Sequence, residues 1–322
     1  MLTLFTAPKP FRGHIGLIQA NAIRSWMALA PDIEVLLVGD EPGLAEAAQA
    51  FRVRHLAGID HSESGAPSLL SVFGEARRAA RYPVLCYLNA DIILLDDFLP
   101  AVQQVARKLE RFLVVGQRWD LKVFDPLGLD PEWRTSLREQ IRARGRLHRP
   151  VGSDYFVFPI DQYPEIPDFT IGRSGWDNWM IYDGRRRRIP VIDAGQAITV
   201  VHQDHDYAHL PGGAPHYRHP ESQRNLEIAG GREVVFRLED ADWRLSPKGP
   251  VRKGPLEWRY PRRWEADLTA RFGPGRLSRL ARMAFRPRLV LHQLLGSLLK
   301  SGRETSTGSV DELAGSRDRG DE

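Results

Sequence analysis

Tyr82-Pro83-Val84-Leu85-Cys86-Tyr87-Leu88-Asn89-Ala90-Asp91-Ile92-Ile93-Leu94-Leu95 is the stretch on which the fold turns. It is an apolar run interrupted by one carboxamide and one carboxylate. Residues 84–88 are rich in β-branched, aromatic and aliphatic side chains, and read as a strand buried on both faces at the centre of a parallel sheet. Asn89 and Asp91, two apart where that strand ends, need partners, because an unpaired buried charge costs on the order of several kcal/mol. One partner is a divalent cation held in turn by phosphate oxygens. The plainer alternative is that the pair caps the following turn. In open α/β sheets, ligands gather at the carboxyl ends of strands.

Working outward, residues 2–6 read as a first strand. Residues 15–29 read as a helix, through Ile15, Ile18, Ala22, Trp26 and Leu29. A second buried strand, 33–38, is stopped by Gly39-Asp40-Glu41-Pro42. Residues 44–50 are helical, 53–56 a short strand, and 68–81 a helix introduced by Pro67. Beyond the central stretch, 97–109 is a helix with acids at its start and Arg107, Lys108 and Arg111 at its end, as the helix dipole favours. Residues 112–116 form another strand. Strands alternating with helices predict an α/β domain with a mostly parallel central sheet flanked by helices. After Gln117 the rhythm changes. A loop (120–131), a charged helix (132–144) and a short strand (155–159) precede the flexible loop 172–175. A helix opens over 177–182, and 191–193 and 197–201 are strands. Residues 202–219 are polar and His-rich. Two or three basic amphipathic helices fill 261–299, and 301–322, polar and free of aromatics, is expected to be disordered.

The chain has 322 residues, 42% of them hydrophobic, enough for a sizeable core. Its one cysteine, Cys86, lies inside the central strand. That excludes an intramolecular disulfide and a cysteine-based zinc site, and fits a reducing compartment. Residues 1–6 lead straight into a strand, with no signal-peptide pattern. The longest apolar run elsewhere, 289–299, is broken by His292 and Gln293 and falls short of the roughly 18 residues a spanning helix needs. These features predict a cytoplasmic protein. Net charge is +4, but residues 244–303 hold fifteen Lys/Arg against three acids, a local +12 that leaves the rest of the chain at −8. A basic region of this kind implies an anionic partner.

Three constellations carry chemistry. Asn89-Ala90-Asp91 is the first. Trp176-Asp177-Asn178-Trp179 is the second, opening a helix behind Gly172-Arg173-Ser174-Gly175. There Asp177 is either a helix cap or a carboxylate that faces an acceptor hydroxyl. Trp176 and Trp179 are either core or an aromatic platform for a sugar ring. The third is His202-Gln203-Asp204-His205-Asp206. On an extended chain its His202, Asp204 and Asp206 point one way, and Gln203 and His205 the other. Asp154, just before the strand at Tyr155, is a substrate ligand or a turn residue. Lys9, Arg12 and His14 lie where they would touch phosphates, but no phosphate-loop or dinucleotide fingerprint surrounds them.

In this order the three constellations resemble a GT-A glycosyltransferase, over roughly residues 1–210. The resemblance implies a divalent metal, Mn2+ or Mg2+, on the diphosphate of a nucleotide sugar. Asp91 would hold it with His202, or with His205 as second choice. Asp177 would be the catalytic base if transfer inverts the anomeric centre, and a positioning group if it retains. Thr6, Pro8 and Asp40 would flank the base and ribose, with Arg78 (or Arg77), Asn89, Asp154 and Trp176 completing the nucleotide-sugar site. One departure is plain: Asn89 stands where the family usually has the first acid of Asp-x-Asp. The implied organisation is a nucleotide-sugar-binding βα half (1–116), an acceptor- and metal-completing half (117–243), a basic helical extension (244–300) and a tail (301–322).

The implied reaction moves a sugar to an acceptor hydroxyl on a glycan or a lipid-linked acceptor. A sugar-1-phosphate nucleotidyltransferase shares fold and metal carboxylates, but carries a Gly-rich basic loop after the first strand that Thr6-Ala7-Pro8-Lys9-Pro10 lacks. A non-catalytic reading makes 244–300 a basic module. Trp258, Tyr260, Trp264 and Phe272 among arginines suit nucleic acid or a membrane interface. The apolar run 289–299 favours an anionic membrane surface, on the inner face, over nucleic acid.

Overall fold

The computed structural model describes residues 1–205, 219–254 and 260–285. The first half alternates strand and helix: β1 (Thr3–Thr6), α1 (Gly13–Met27), β2 (Glu34–Val38), α2 (Leu44–Phe51), β3 (Arg54–Leu56), α3 (Leu69–Ala79) and β4 (Val84–Leu88). β1 pairs in parallel with β2 on one side and β4 on the other, and β3 extends the edge beyond β2. Then follow β5 (Ile92–Leu94), α4 (Phe98–Ala106), β6 (Leu113–Val115), β7 (Trp119–Leu121), α5 (Trp133–Arg144), β8 (Arg146–Leu147) and β9 (Tyr155–Pro159). The remaining elements are α6 (Trp176–Arg186), β10 (Val191–Asp193), β11 (Val200–Gln203), α7 (Pro220–Ala229), β12 (Trp243–Ser246), β13 (Gly249–Arg252), α8 (Tyr260–Phe272) and α9 (Arg276–Phe285).

Two sheets result. The large one has nine strands in the order β13-β12-β10-β6-β9-β4-β1-β2-β3. It is mostly parallel, as expected; β9 runs antiparallel to its neighbours β4 and β6, and β13 antiparallel to β12. The small sheet has the order β5-β11-β7-β8. β4 is buried on both faces with a period of two: Leu85 and Tyr87 join one apolar cluster, Cys86 and Leu88 the other. The first cluster is aromatic, with Phe5 and Phe73 rings 5.0 Å apart and Tyr87 and Trp176 rings 5.1 Å apart. The second packs Trp26 and Phe98 from α1 and α4 beneath the sheet.

The chain leaves β4 at Asn89 and joins the small sheet at Ile92, so residues 89–91 form the seam between the sheets. Ile92 and Leu94 still face the second cluster, while Ile93 and Leu95 join a third with Trp133, Leu137, Ile141 and Val201. α1 pins this passage: Trp26 Nε1 donates to the Ile92 carbonyl at 2.7 Å, and the Leu94 N–H donates to Ser25 Oγ at 3.1 Å.

Three expectations change. The loop expected over 120–131 begins inside a strand, β7, because Trp119 and Leu121 pair with β11. The strand expected over 197–201 instead spans Val200–Gln203, and so carries His202 within it. The basic extension expected from 244 is not helical at its start: β12 and β13 form a hairpin whose first strand pairs in parallel with β10, so it belongs to the large sheet. Helices follow as α8 and α9. The expected helical stretch beyond 285, the tail 301–322, Asp206 and Trp258 lie outside the described residues. No helix among those described is long and apolar enough to cross a membrane.

Candidate active site

The pairing of β5 with β11 builds the centre of the site. Their antiparallel register sets His202 opposite Ile92, the residue after Asp91. His202 Nε2 stands 3.5 Å from Asp91 Oδ2, and His205 Nε2 3.2 Å from the same oxygen. Gln203 fastens the corner from the other face of β11. It is fully buried, and its Nε2 donates to the carbonyls of Ile18 and Asp91 at 2.7 and 3.0 Å. The alternation expected for 202–206 fails after Gln203, where the strand ends; His205 swings back to share Asp91 with His202. Burial works to raise the Asp91 carboxyl, but His202, His205 and Lys9 outweigh it and hold it well below the usual carboxylate range. Burial works to lower His202, but Asp91 and Asp120 outweigh it and push the imidazole up to about 9.

Asp120, on β7, is the hub that the sequence does not announce. Its side chain is 2% exposed. It accepts from Arg118 Nε at 3.0 Å and Arg146 at 3.0 Å, contacts His148 Nδ1 at 2.9 Å, and lies 3.5 Å from His202 Nδ1. Arg118 also donates to Asp154 Oδ1 at 2.5 Å. Asp154 receives Asn89 Nδ2 at 2.9 Å, while its carbonyl accepts the Asn89 N–H at 3.0 Å. A continuous polar chain therefore runs Asn89, Asp154, Arg118, Asp120, His202, Asp91. Asp120 falls at the start of the stretch expected to be a loop and Arg118 just before it; nothing local marks a strand three residues long.

Asp177 sits in the first turn of α6, where the helix dipole favours an acid. Trp176 anchors that turn in the core against Tyr87 and Phe156, and Asn178 Nδ2 donates to the Val151 carbonyl at 3.1 Å. Gly175 (φ 114°) makes the bend and donates its N–H to Asp177 Oδ1 at 3.3 Å. Gly152 passes so close that a Cβ there would lie 2.7 Å from Asp177 Oδ2. Burial is the chief cause of a carboxyl pushed up to about 6, with Asp154 adding to it and backbone N–H groups opposing. Asp177, Asp154 and Asn89 thus belong to one neighbourhood.

The other expected residues divide. Thr6 ends β1 fully buried, with an Oγ1 that has no hydrogen-bond partner, and Pro8 is buried beside it. Lys9, which the sequence marked only loosely, is close enough to stabilise the Asp91 carboxylate. Asp40, after β2, receives the N–H groups of Gly58 and Ile59 at 2.9 and 3.2 Å, and so clasps the loop after β3. Arg78 is not brought in: it ends α3 on the side where β4 begins, opposite the carboxyl ends of the parallel strands. There it pairs with Glu75 and is largely exposed. Trp176 and Trp179 are both buried in the core, so neither offers a free face to a sugar ring.

The seam fits a cation. Asp91, His202 and His205 each present a ligand atom within 4.8 Å of the others, as do Asp120, His202 and Asp204. Asp91 Oδ1 is buried without a hydrogen-bond partner, an acceptor with nothing to accept. No protein-family model matches the chain, and no curated protein does. Solved structures do. Glucosyl-3-phosphoglycerate synthase from Mycobacterium tuberculosis, in complex with Mn2+, uridine diphosphate and phosphoglyceric acid, aligns at 13% identity and a TM-score of 0.45, over 72% of this chain and 79% of that one. The same enzyme with Mg2+ and uridine diphosphate gives 14% and 0.43, over 72% and 80%. A putative nucleotide-diphospho-sugar transferase from Desulfovibrio desulfuricans gives 13% and 0.40, over 71% and 96%. The functional reading is carried by the side chains of the site, not by these likenesses.

Proposed function

We propose that this chain is a glycosyltransferase that moves a sugar from a nucleotide-diphosphate sugar to an acceptor hydroxyl. The observation that carries the reading is the seam itself. At the carboxyl end of β4, Asp91 meets two imidazoles and a lysine, and a polar chain runs from it to Asp154, which is near enough to help raise the Asp177 carboxyl to about 6. A cation bound by Asp91, His202 and His205 would offset the charge that develops on the leaving diphosphate. Lys9 adds positive charge on the same side. Thr6, Pro8 and Asp40, at the ends of β1 and β2, flank the space for base and ribose. Asp177, deprotonated above about pH 6, takes the proton of the acceptor hydroxyl. The loop after β1 holds no glycine before Gly13, which favours transfer over nucleotidyl exchange.

The test is a thermal-shift screen of nucleoside diphosphates with and without Mn2+ or Mg2+. A ligand confined to the folded state stabilises it by about 2.7 kcal/mol at a hundredfold excess over Kd. A shift that needs both nucleotide and metal supports the reading. No shift with any nucleotide sinks it.

We also assign to this reading an anionic membrane surface as the place where the acceptor is met. α9 holds Arg276, Arg279 and Arg282 and no acid, while Leu277, Leu280 and Met283 are 57%, 60% and 53% exposed. Apolar residues beside arginines on one helix suit a lipid interface. The full chain is expected to sediment with vesicles containing phosphatidylglycerol and to lose most of that binding in Leu277→Glu/Leu280→Glu. Equal partition of both proteins, or equal binding to neutral vesicles, removes this part.

A further inference from the structure

We propose that Asp120 is a positioning residue that aims His202 at the cation, and that Asn89, tied to Asp154 through its amide nitrogen, adds no charge to the shell, whose charged and imidazole ligands are Asp91, His202 and His205. The inference rests on the metal reading above and goes beyond it. The family pattern puts an acid at position 89; here the amide nitrogen of Asn89 is spent on Asp154 Oδ1 at 2.9 Å, and the same oxygen takes Arg118. An aspartate at 89 would bring a second carboxylate against Asp154, so the neutral amide is what this neighbour demands.

The carboxylate that position 89 lacks is supplied one step back. β7 and β11 pair in parallel with His202 and Asp120 in register, so both side chains stand on one face of the small sheet. His202 lies between two carboxylates: Asp91 is 3.5 Å from Nε2, and Asp120 is 3.5 Å from Nδ1. Nδ1 is buried without a hydrogen-bond partner, and Asp120, 3.5 Å away, is the fixed carboxylate placed to accept from it when a bound cation takes the Nε2 lone pair. Asp204 is also near Nδ1, at 3.7 Å, but its side chain is 38% exposed, whereas that of Asp120 is 2% exposed and fixed by Arg118, Arg146 and His148. A fixed carboxylate orients a ring; an exposed one follows it. Mn2+ and Mg2+ both favour oxygen, but Mn2+, a transition ion with laxer geometry, accepts imidazole nitrogen more readily than Mg2+, so between the two the shell favours Mn2+.

The experiment is Mn2+ titration of the full chain, read from the loss of the free-ion electron paramagnetic resonance signal, with and without uridine diphosphate and with Mg2+ as competitor. Asp120→Asn is expected to weaken Mn2+ binding by about tenfold to a hundredfold, with Asp204→Asn affected much less. His205→Ala is expected to weaken Mn2+ more than Mg2+. Asn89→Asp is expected to bind Mn2+ no better than the parent and to melt at a lower temperature. Should Asp120→Asn not fold, Asn89→Asp and His205→Ala decide. Tighter Mn2+ binding by Asn89→Asp, equal losses of both ions in His205→Ala, or a loss in Asp204→Asn matching that in Asp120→Asn overturns the inference and leaves the metal reading standing. A parent chain that takes up no Mn2+ under either condition overturns both.

Discussion

Asp177→Asn is expected to lose transferase turnover by about 10²–10⁴-fold while melting at a higher temperature than the parent above pH 6. The two effects share one cause. Burial, with Asp154 nearby, raises the Asp177 carboxyl to about 6 and so disfavours the charged form that works as a base. A carboxyl whose folded value lies above its unfolded value favours the native state at low pH. That contribution is fully present below about pH 4 and is lost as pH rises through about 6. A carboxyl at about 6 in the folded chain and about 4 in the unfolded one sets a ceiling of about 3 kcal/mol; partial solvent access brings the expected gain of the Asn variant to about 1 kcal/mol at pH 7. Melting curves from pH 4 to 8 read the second effect as a gap that opens between pH 4 and 6. The first effect is read from turnover of whichever nucleotide sugar the screen identifies. In the parent, kcat/KM should rise with pH to about 6 and then level. Full turnover in a folded Asp177→Asn protein would reduce Asp177 to a residue that closes the first turn of α6.

Asp91→Ala is expected to abolish the metal-dependent part of nucleotide binding, raising Kd for a nucleoside diphosphate in Mn2+ by about a hundredfold or more, in line with about 2.7 kcal/mol for that factor. Asp91 is the point at which His202, His205 and Lys9 converge, and its Oδ1 is an acceptor without a partner. The fold should survive, because an imidazole can shed its proton once the carboxylate is gone. Calorimetric titration of parent and variant with the diphosphate, each with Mn2+ and with a chelator, separates the cases. Identical metal-dependent affinities would show that no cation bridges Asp91 and the diphosphate.

The fold was legible because burial leaves a local trace. The doubly buried β4, the punctuation at Gly39-Asp40-Glu41-Pro42 and the periodicity of α1 are all readable one neighbour at a time. Asp91 and Asp177 were legible for a related reason: each is a carboxylate at the end of an element, where a ligand has access. Trp176 misled, because an aromatic beside a carboxylate looks the same in sequence whether it faces solvent or core; the rings of Tyr87 and Phe156 decide that it is core. Arg78 misled because a basic residue near the end of a helix says nothing about which end of the sheet that helix reaches.

By itself, then, the sequence determined the alternating βα half, the apolar strand that stops at Asn89, and the basic composition beyond Arg244, each a matter of neighbours a few residues apart. Only the tertiary structure decided that β11 returns beside β5, that β7 lies along β11, and that Asp91, Asp120, His202 and His205 therefore share one corner. Asp91 and His202 are more than a hundred residues apart in the chain. Strand pairing that satisfies backbone hydrogen bonds is what spans that separation, and no local pattern encodes which distant strand will be the partner.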